Sequence, residues 1–325
     1  PGVIRVVTGR ELAEVCTPWV GVLTHLKGLK SAPQHAIAID RATWQGEAVA
    51  AVVANSRAEA EDAVQLVVGE VDAAFAKAAA VAEETFVFGR HTGVTLEARA
   101  ILADYRAAES RMVIYHSYQA PHMMQDIVSL HLGIAATDIQ VICRDVGGSF
   151  GIKVHTYADE MATVALSKLL RRPVKFIADR LESFVTDIHA RDHRVKGRIA
   201  LDAEGNILAF DIDDLTGIGP YSMYPRTSGI EANQVVNLVG GPYKHQNYRA
   251  RARVVFQNKN LMCQYRAVGH PIAVAVTEGL VDAGARKLGM DPAELRRRNV
   301  IPDDAYPTKG IAGLPFEGLS HQESL

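Results

Sequence analysis

Two alternating runs, His193 to Leu201 and Ile207 to Leu215, flank Asp202-Ala-Glu-Gly205 and weigh against a purely parallel sheet. Period-two alternation on both sides of a turn ending in glycine predicts an antiparallel hairpin. Around it, short strand-like runs are predicted at Thr85–Phe88, Ala100–Asp104, Met112–His116, Gln140–Arg144, Val174–Ile177 and Arg249–Phe256. Helical patterns fall at Ala120–Leu132, Tyr157–Leu170 and Val274–Leu288. Met124, Ile127, Val128 and His131 share one face of the first of these helices. Gly289 is placed to end the third, and Asp291-Pro292 to start another. Strands and helices mix without a strict βαβ rhythm, so the expected fold class is α+β.

The first fifth of the chain reads differently. Trp44 to Val68 is predicted as strand, turn, strand and helix, with Ser56 as N-cap and Glu59 as its capping-box partner. The helix would run from Arg57 to Val67, with Ala60, Ala63, Val64 and Val67 on one face. A second helical pattern, Ala73 to Val81, follows with no linker, which suggests that residues of a longer natural chain are missing here. The 325 residues suit two domains. The expected division is a small α/β domain over 1–68 and a larger mixed α+β domain over 69–325.

Composition narrows the partners. Thirty-five Lys and Arg face 37 Asp and Glu, so neither nucleic acid nor an anionic membrane is called for. No apolar run is long enough to span a bilayer, and Pro1 to Arg10 lacks the marks of a signal peptide. Cys16, Cys143 and Cys263 are odd in number and widely spaced, without a CxxC pair. They are read as small apolar residues rather than metal ligands, which fits a reducing cytoplasm.

Four loops carry residues suited to chemistry. Val146-Gly-Gly-Ser-Phe-Gly-Ile-Lys153 joins a strand to a helix, and its glycines permit positive φ and close approach to a ligand. It has neither Walker A nor GxGxxG spacing, and Phe150 could equally be tucked into the core. Gln264-Tyr-Arg-Ala-Val-Gly-His-Pro271 holds Arg266 in a structured turn, suited to an oxyanion. Ser117-Tyr-Gln-Ala-Pro-His122 offers the Gln119 amide as donor and acceptor. Arg90-His-Thr-Gly-Val-Thr-Leu-Glu-Ala-Arg99 sets His91 and Glu97 six apart, a spacing no regular metal template needs. Taken singly, each also reads as an ordinary turn.

In combination and order these loops resemble the large subunit of the molybdenum hydroxylases, the xanthine dehydrogenase and aldehyde oxidase family. Trp44–Val68, the stretch from Arg180-Leu-Glu-Ser-Phe to His189-Ala-Arg-Asp, and Asp291-Pro-Ala-Glu-Leu-Arg-Arg-Arg-Asn299 share the resemblance. It implies an a/b hammerhead domain over 1–68, then the first of two molybdopterin-binding domains. It implies that Gly148, Ser149, Phe150 and Gly151 pack on the molybdenum cofactor, with Ser149 standing where a third glycine is usual. Gln119, Arg266 and Ala267 would also bind cofactor, and Arg266 would act in catalysis. His91 and Val268 would line the substrate pocket, His91 standing where the family often has a Gln and Val268 where xanthine-oxidising relatives can carry an aromatic ring. No residue here would ligate the metal directly.

The chemistry implied is hydroxylation of an aldehyde or N-heteroaromatic C–H carbon with oxygen from water. Electrons would pass to a 2Fe-2S subunit and an FAD subunit. The cofactor is molybdopterin with Mo, its mononucleotide or cytosine dinucleotide form left open. The carbon monoxide dehydrogenase branch has a Cys directly after the Tyr-Arg pair, where this chain has Ala267, which argues against CO oxidation. The family's general base, a Glu in a GQGxE-like motif of the second molybdopterin domain, has no counterpart here. The expected partner is therefore a second molybdopterin-binding chain or a C-terminal half. Two other readings compete: a non-catalytic scaffold that has lost the cofactor, and a generic phosphate-binding enzyme using the 146–153 loop.

Overall fold

The structure is a computed structural model that describes residues 9–21, 32–36, 38–39 and 62–325. Most of the Trp44–Val68 unit lies outside the described residues. After the short α1 (Gly9–Ala13), the chain runs β1 (Asp62–Val68), α2 (Val71–Lys77), β2 (Ala80–Phe88), β3 (Ala100–Arg106) and β4 (Arg111–His116). It continues through α3 (Pro121–Leu132), β5 (Ile139–Ile142), α4 (Ala158–Leu170), β6 (Val174–Ile177), α5 (Arg180–Thr186), β7 (His193–Leu201) and β8 (Ile207–Gly217). Then come α6 (Ile230–Leu238), β9 (Asn247–Val255), α7 (His270–Leu288) and α8 (Pro292–Asn299). The fold class is α+β, as expected.

These elements form two sheets with separate cores. The larger has strand order β1-β9-β8-β7-β2, with β8 and β9 parallel and every other pair antiparallel. β7 and β8 are the predicted hairpin. Ile199, Phe210 and Ala250 of this sheet pack against Val235 of α6 and Val276 and Leu280 of α7. The smaller sheet has order β5-β4-β3-β6, with β4 and β5 parallel. Ile101, Ala103, Met112 and Ile114 meet Met124, Ile127 and Val128 of α3 and Met161 and Val164 of α4. The apolar face of α3 read from the sequence is thus the buried one. Each fully buried side chain of this size contributes about 1.5–3 kcal/mol, so packing rather than intrinsic propensity holds these helices. Leu12, Cys16, Trp19 and Ala36 join the same core.

Several local expectations need correction. Asp62 to Val67 is not the end of a helix. β1 pairs antiparallel with β9 over seven residues, from Asp62 opposite Val254 to Val68 opposite Tyr248. A seven-residue backbone ladder outweighs the helical spacing of the alanines. β1, inside the stretch assigned to 1–68, thereby joins the sheet of the following unit through a turn at Gly69 and Glu70. The helix predicted over Ala73–Val81 stops at Lys77, because Ala80 and Val81 pair with Leu201 and Ala200 of β7. Helices α5 and α6 were not foreseen. Among the described residues no helix is long and apolar enough to cross a membrane.

Candidate functional site

The glycine-rich loop between β5 and α4 has the conformation its composition permits. Gly148 and Gly151 adopt φ of 99° and 97°. Phe150, between them, is itself left-handed at φ 53°. It is 49 % exposed, so the ring is displayed rather than tucked into the core. Gln119 holds the loop from one side: its Oε1 accepts from the Gly151 N–H at 3.1 Å and from the Ser149 hydroxyl.

Glu97 holds the loop from the other side. Its Oε2 accepts from the Gly147 N–H at 2.8 Å, the Ser117 hydroxyl at 2.6 Å and the ammonium of buried Lys153 at 2.7 Å. Burial pushes the Glu97 carboxyl up, but the hydrogen bonds from Lys153, Ser117 and Gly147 outweigh it and hold the group below its usual range. Lys153 also donates to Ser117 at 2.8 Å. Two residues on, Arg99 is wholly buried and forks onto Asp159 at 2.6 and 2.7 Å, while its Nε donates to Asp187 at 2.6 Å. The 97–99 strip therefore fixes the loop to α4 and to the end of α5.

The second loop meets the first directly. The Arg266 N–H donates to the Phe150 carbonyl at 2.8 Å. A Cβ at Gly151 would lie 3.0 Å from the Tyr265 Cα, so only glycine permits this approach without strain. Ala267 and Val268 are both left-handed, at φ 66° and 52°. For a β-branched residue that is a genuine outlier, and such outliers concentrate at functional sites. Among the described residues the Arg266 guanidinium makes no ion pair or hydrogen bond, and it lies 6.0 Å from the Phe150 ring centre. The N–H groups of Ser149, Phe150 and Ala267 are also without partners among the described residues.

Beside these loops opens a cleft of about 580 Å³ lined by His91, Arg191, Tyr265, Arg266 and Ala267, among others. The exposed His91 is 2.6 Å from the Tyr265 hydroxyl through Nε2. The structure thus brings Gly148, Ser149, Phe150, Gly151, Gln119, Arg266, Ala267 and His91 into one neighbourhood. Val268 is half-buried and does not line the cleft. Sequence reasoning missed Tyr265, Arg191 and the Glu97–Lys153 pair. Lys153, which ends a loop without Walker A spacing, anchors that loop. Cys16 and Cys263 are buried and Cys143 is half-buried, all three free. Burial pushes the Cys263 thiol up to about 12 and so keeps it protonated and inert. Among the described residues no three His, Cys, Asp or Glu gather in a way that could hold a metal ion.

Residues 54–300 match the family model of the molybdopterin cofactor-binding domain. The nicotine 6-hydroxylase large subunit of Paenarthrobacter nicotinovorans is 30% identical over 369 aligned residues, covering 99% of this chain and 44% of the relative. The carbon monoxide dehydrogenase large chain of Hydrogenophaga pseudoflava is 27% identical, over 78% of this chain and 32% of its own. The crystal structure of quinoline 2-oxidoreductase from Pseudomonas putida 86 superposes with a TM-score of 0.90 at 27% identity, covering 98% of this chain and 45% of that one. The chain spans less than half the length of these relatives. With the family model matched over three quarters of its length and a site built from the loops that carry the resemblance, the chain belongs to the molybdopterin-binding large subunits of the molybdenum hydroxylase family.

Proposed function

We propose that the chain supplies the first molybdopterin-binding half of a multi-subunit hydroxylase acting on an aldehyde or N-heteroaromatic C–H carbon. The observation that carries this reading is the unpaired Arg266 guanidinium beside an exposed Phe150 on a left-handed backbone. A buried or surface-paired arginine needs no such construction. The donor set fits an anionic, oxygen-rich group: the Arg266 guanidinium and the N–H groups of Ser149, Phe150 and Ala267, all without hydrogen-bond partners among the described residues. We assign cofactor contact to Gly148, Ser149, Phe150, Gly151, Gln119 and Ala267, and a pocket role to His91; Val268, which does not line the cleft, takes none.

When bound, molybdopterin with Mo supplies the two-electron oxidation; the protein supplies binding and orientation. The exposed Phe150 ring offers an apolar face to the bound group. Arg266 stabilises negative charge that develops on substrate oxygen or ring nitrogen, and does so more strongly where water is excluded. His91, held at Nε2 by the Tyr265 hydroxyl and at Nδ1 by the Gly89 carbonyl, lines the cleft wall where substrate would sit. Ala267 leaves no thiol for copper, so CO oxidation is not the proposed activity.

The general base and the rest of the cofactor cage belong, on this reading, to a second molybdopterin-binding half or chain. A 2Fe-2S subunit and an FAD subunit take the electrons. An apolar surface supports a partner at this end. Leu96 is 95 % exposed, and Leu181, Phe184 and Val185 of α5 are exposed next to it, with Arg180 donating to the Leu96 carbonyl at 2.9 Å. Contiguous exposed apolar groups of this kind mark interaction sites. The scaffold alternative is not favoured, because Gly148, Phe150, Gly151 and Arg266 keep a consistent geometry and the relatives named are large subunits of oxidoreductases. The test is turnover of the native complex in ¹⁸O-water, with N-heteroaromatic and aldehyde substrates and an artificial electron acceptor. Label in the product is expected. Product oxygen drawn from O₂ would exclude the reading.

A further inference from the structure

The segment His189-Ala-Arg-Asp shares the family resemblance, and its Arg191 lines the cleft. In the structure it lies between the two halves of the cleft wall. Ala190 exchanges backbone hydrogen bonds with His91, at 2.9 and 3.2 Å. His189 does so with the strip that leads to Tyr265, accepting from the Cys263 N–H at 2.9 Å and donating to the Leu261 carbonyl at 3.0 Å. The next residue, Arg191, is buried and left-handed at φ 69°. Its N–H donates to Glu231 Oε2 at 3.1 Å, and its guanidinium pairs with the other Glu231 oxygen. The same guanidinium donates to the Arg266 carbonyl at 2.6 Å and lies 4.8 Å from the Tyr265 ring centre.

Glu231 is itself anchored. It is fully buried in the first turn of α6, with His193 Nε2 3.5 Å away, and His193 Nδ1 is 2.9 Å from Asp214 of β8. A buried polar chain thus runs from the larger sheet, through α6, to the carbonyl just before Ala267 and Val268. Gln234, one turn along α6, accepts from the Gly269 N–H at 3.0 Å and closes the other end of the loop. Two successive left-handed residues persist only where their surroundings over-determine them. Here the surroundings are Arg191 on one side and Gln234 on the other.

We infer that Arg191, clamped by Glu231, is the positioning residue of this site: it fixes the Arg266 carbonyl and thereby sets where the Arg266 guanidinium and the Ala267 N–H stand in the cleft. The inference rests on the reading of Arg266 as the group that meets substrate. Arginine is required for its planar fork. A lysine keeps the charge but cannot bind Glu231 and the Arg266 carbonyl in one plane, nor stack on Tyr265 in the same way.

The experiment uses the complete complex with Arg191→Lys and, separately, Glu231→Gln. Hydrogen exchange is followed in the peptide covering residues 262–272, alongside kcat, KM and molybdenum content. Expected are a roughly ten-fold or greater quickening of exchange confined to that peptide and molybdenum content retained. A kcat about ten-fold lower with KM changed much less would accompany them. Exchange and kcat within about two-fold of wild type in whichever variant accumulates would overturn the assignment. So would exchange that quickens equally in β7 and β8, since that marks general destabilisation. If the wild-type complex holds no molybdenum, the functional reading fails, while the exchange experiment still decides whether Arg191 orders the loop.

Discussion

Replacing Arg99 by methionine tests how the site is tied to the core. The guanidinium is completely buried, forks onto Asp159, donates to Asp187 at 2.6 Å, approaches Glu160 at 3.2 Å and lies 3.8 Å from the Tyr157 ring centre. Methionine fills most of the volume but leaves Asp187 and Glu160 buried without this cation. Breaking a buried pair from one side costs about 3–5 kcal/mol. Unfolding entropy for a chain of 325 residues then places the fall in Tm at roughly 4–7 °C. Calorimetry on wild type, Arg99→Met and Arg99→Lys measures it, with lysine expected between the other two because it keeps charge without the fork. Acid adds a second reading. Burial pushes Glu160 up, but the neighbouring His116 and Arg99 more than reverse this, so its carboxyl sits below the ordinary 4.5 in the fold. Its contribution is therefore present in full above that value and is lost as pH falls through the lower, folded one. In Arg99→Met the freed carboxylates take up protons earlier, so the deficit against wild type shrinks on acidification. A Tm within 1 °C of wild type at pH 7, or a deficit that widens in acid, would refute the reasoning.

Three further outcomes follow from the same geometry. Arg266→Ala should lower kcat/KM by about 100- to 1,000-fold while leaving Tm unchanged, because among the described residues the guanidinium makes no ion pair or hydrogen bond; steady-state kinetics with calorimetry check this. Gly151→Ala should destabilise by about 1–2 kcal/mol from the left-handed backbone alone, plus the cost of parting the loops at Tyr265; denaturant unfolding measures it. His155 is fully buried and hydrogen-bonded to the Gln264 carbonyl at 3.0 Å. Burial lowers its pKa from 6.5 to about 4. The stability linked to its neutral form is present above pH 6.5 and should drain away as pH falls towards 4, a slope that His155→Gln should flatten in melts across that range.

What the sequence disclosed and what it hid divide along physical lines. Hairpin β7–β8 and the buried face of α3 were legible because local periodicity and tertiary burial agree there. Gly289 is the left-handed cap of α7, at φ 65°, and Asp291 caps α8 by accepting from the Ala293 N–H. Both were readable because caps are local chemistry. The Asp179–Glu182 capping box of α5 was equally readable and was passed over. β1 was misread because its strand state is decided by β9, almost 190 residues away in sequence. The candidate site was legible as loops but not as a structure. Glycines and Arg266 stand out in composition, whereas Arg191, Glu231 and the Glu97–Lys153 pair are ordinary charges until the fold buries them together.

As proposed, this chain supplies one half of a molybdenum site. The direct measurement is molybdenum content of the protein purified natively, with every co-purifying chain identified by mass spectrometry. Near-stoichiometric molybdenum is expected, together with iron–sulfur and flavin subunits and a polypeptide that carries a GQGxE-like motif. An intact assembly with those partners but without molybdenum would contradict the proposal.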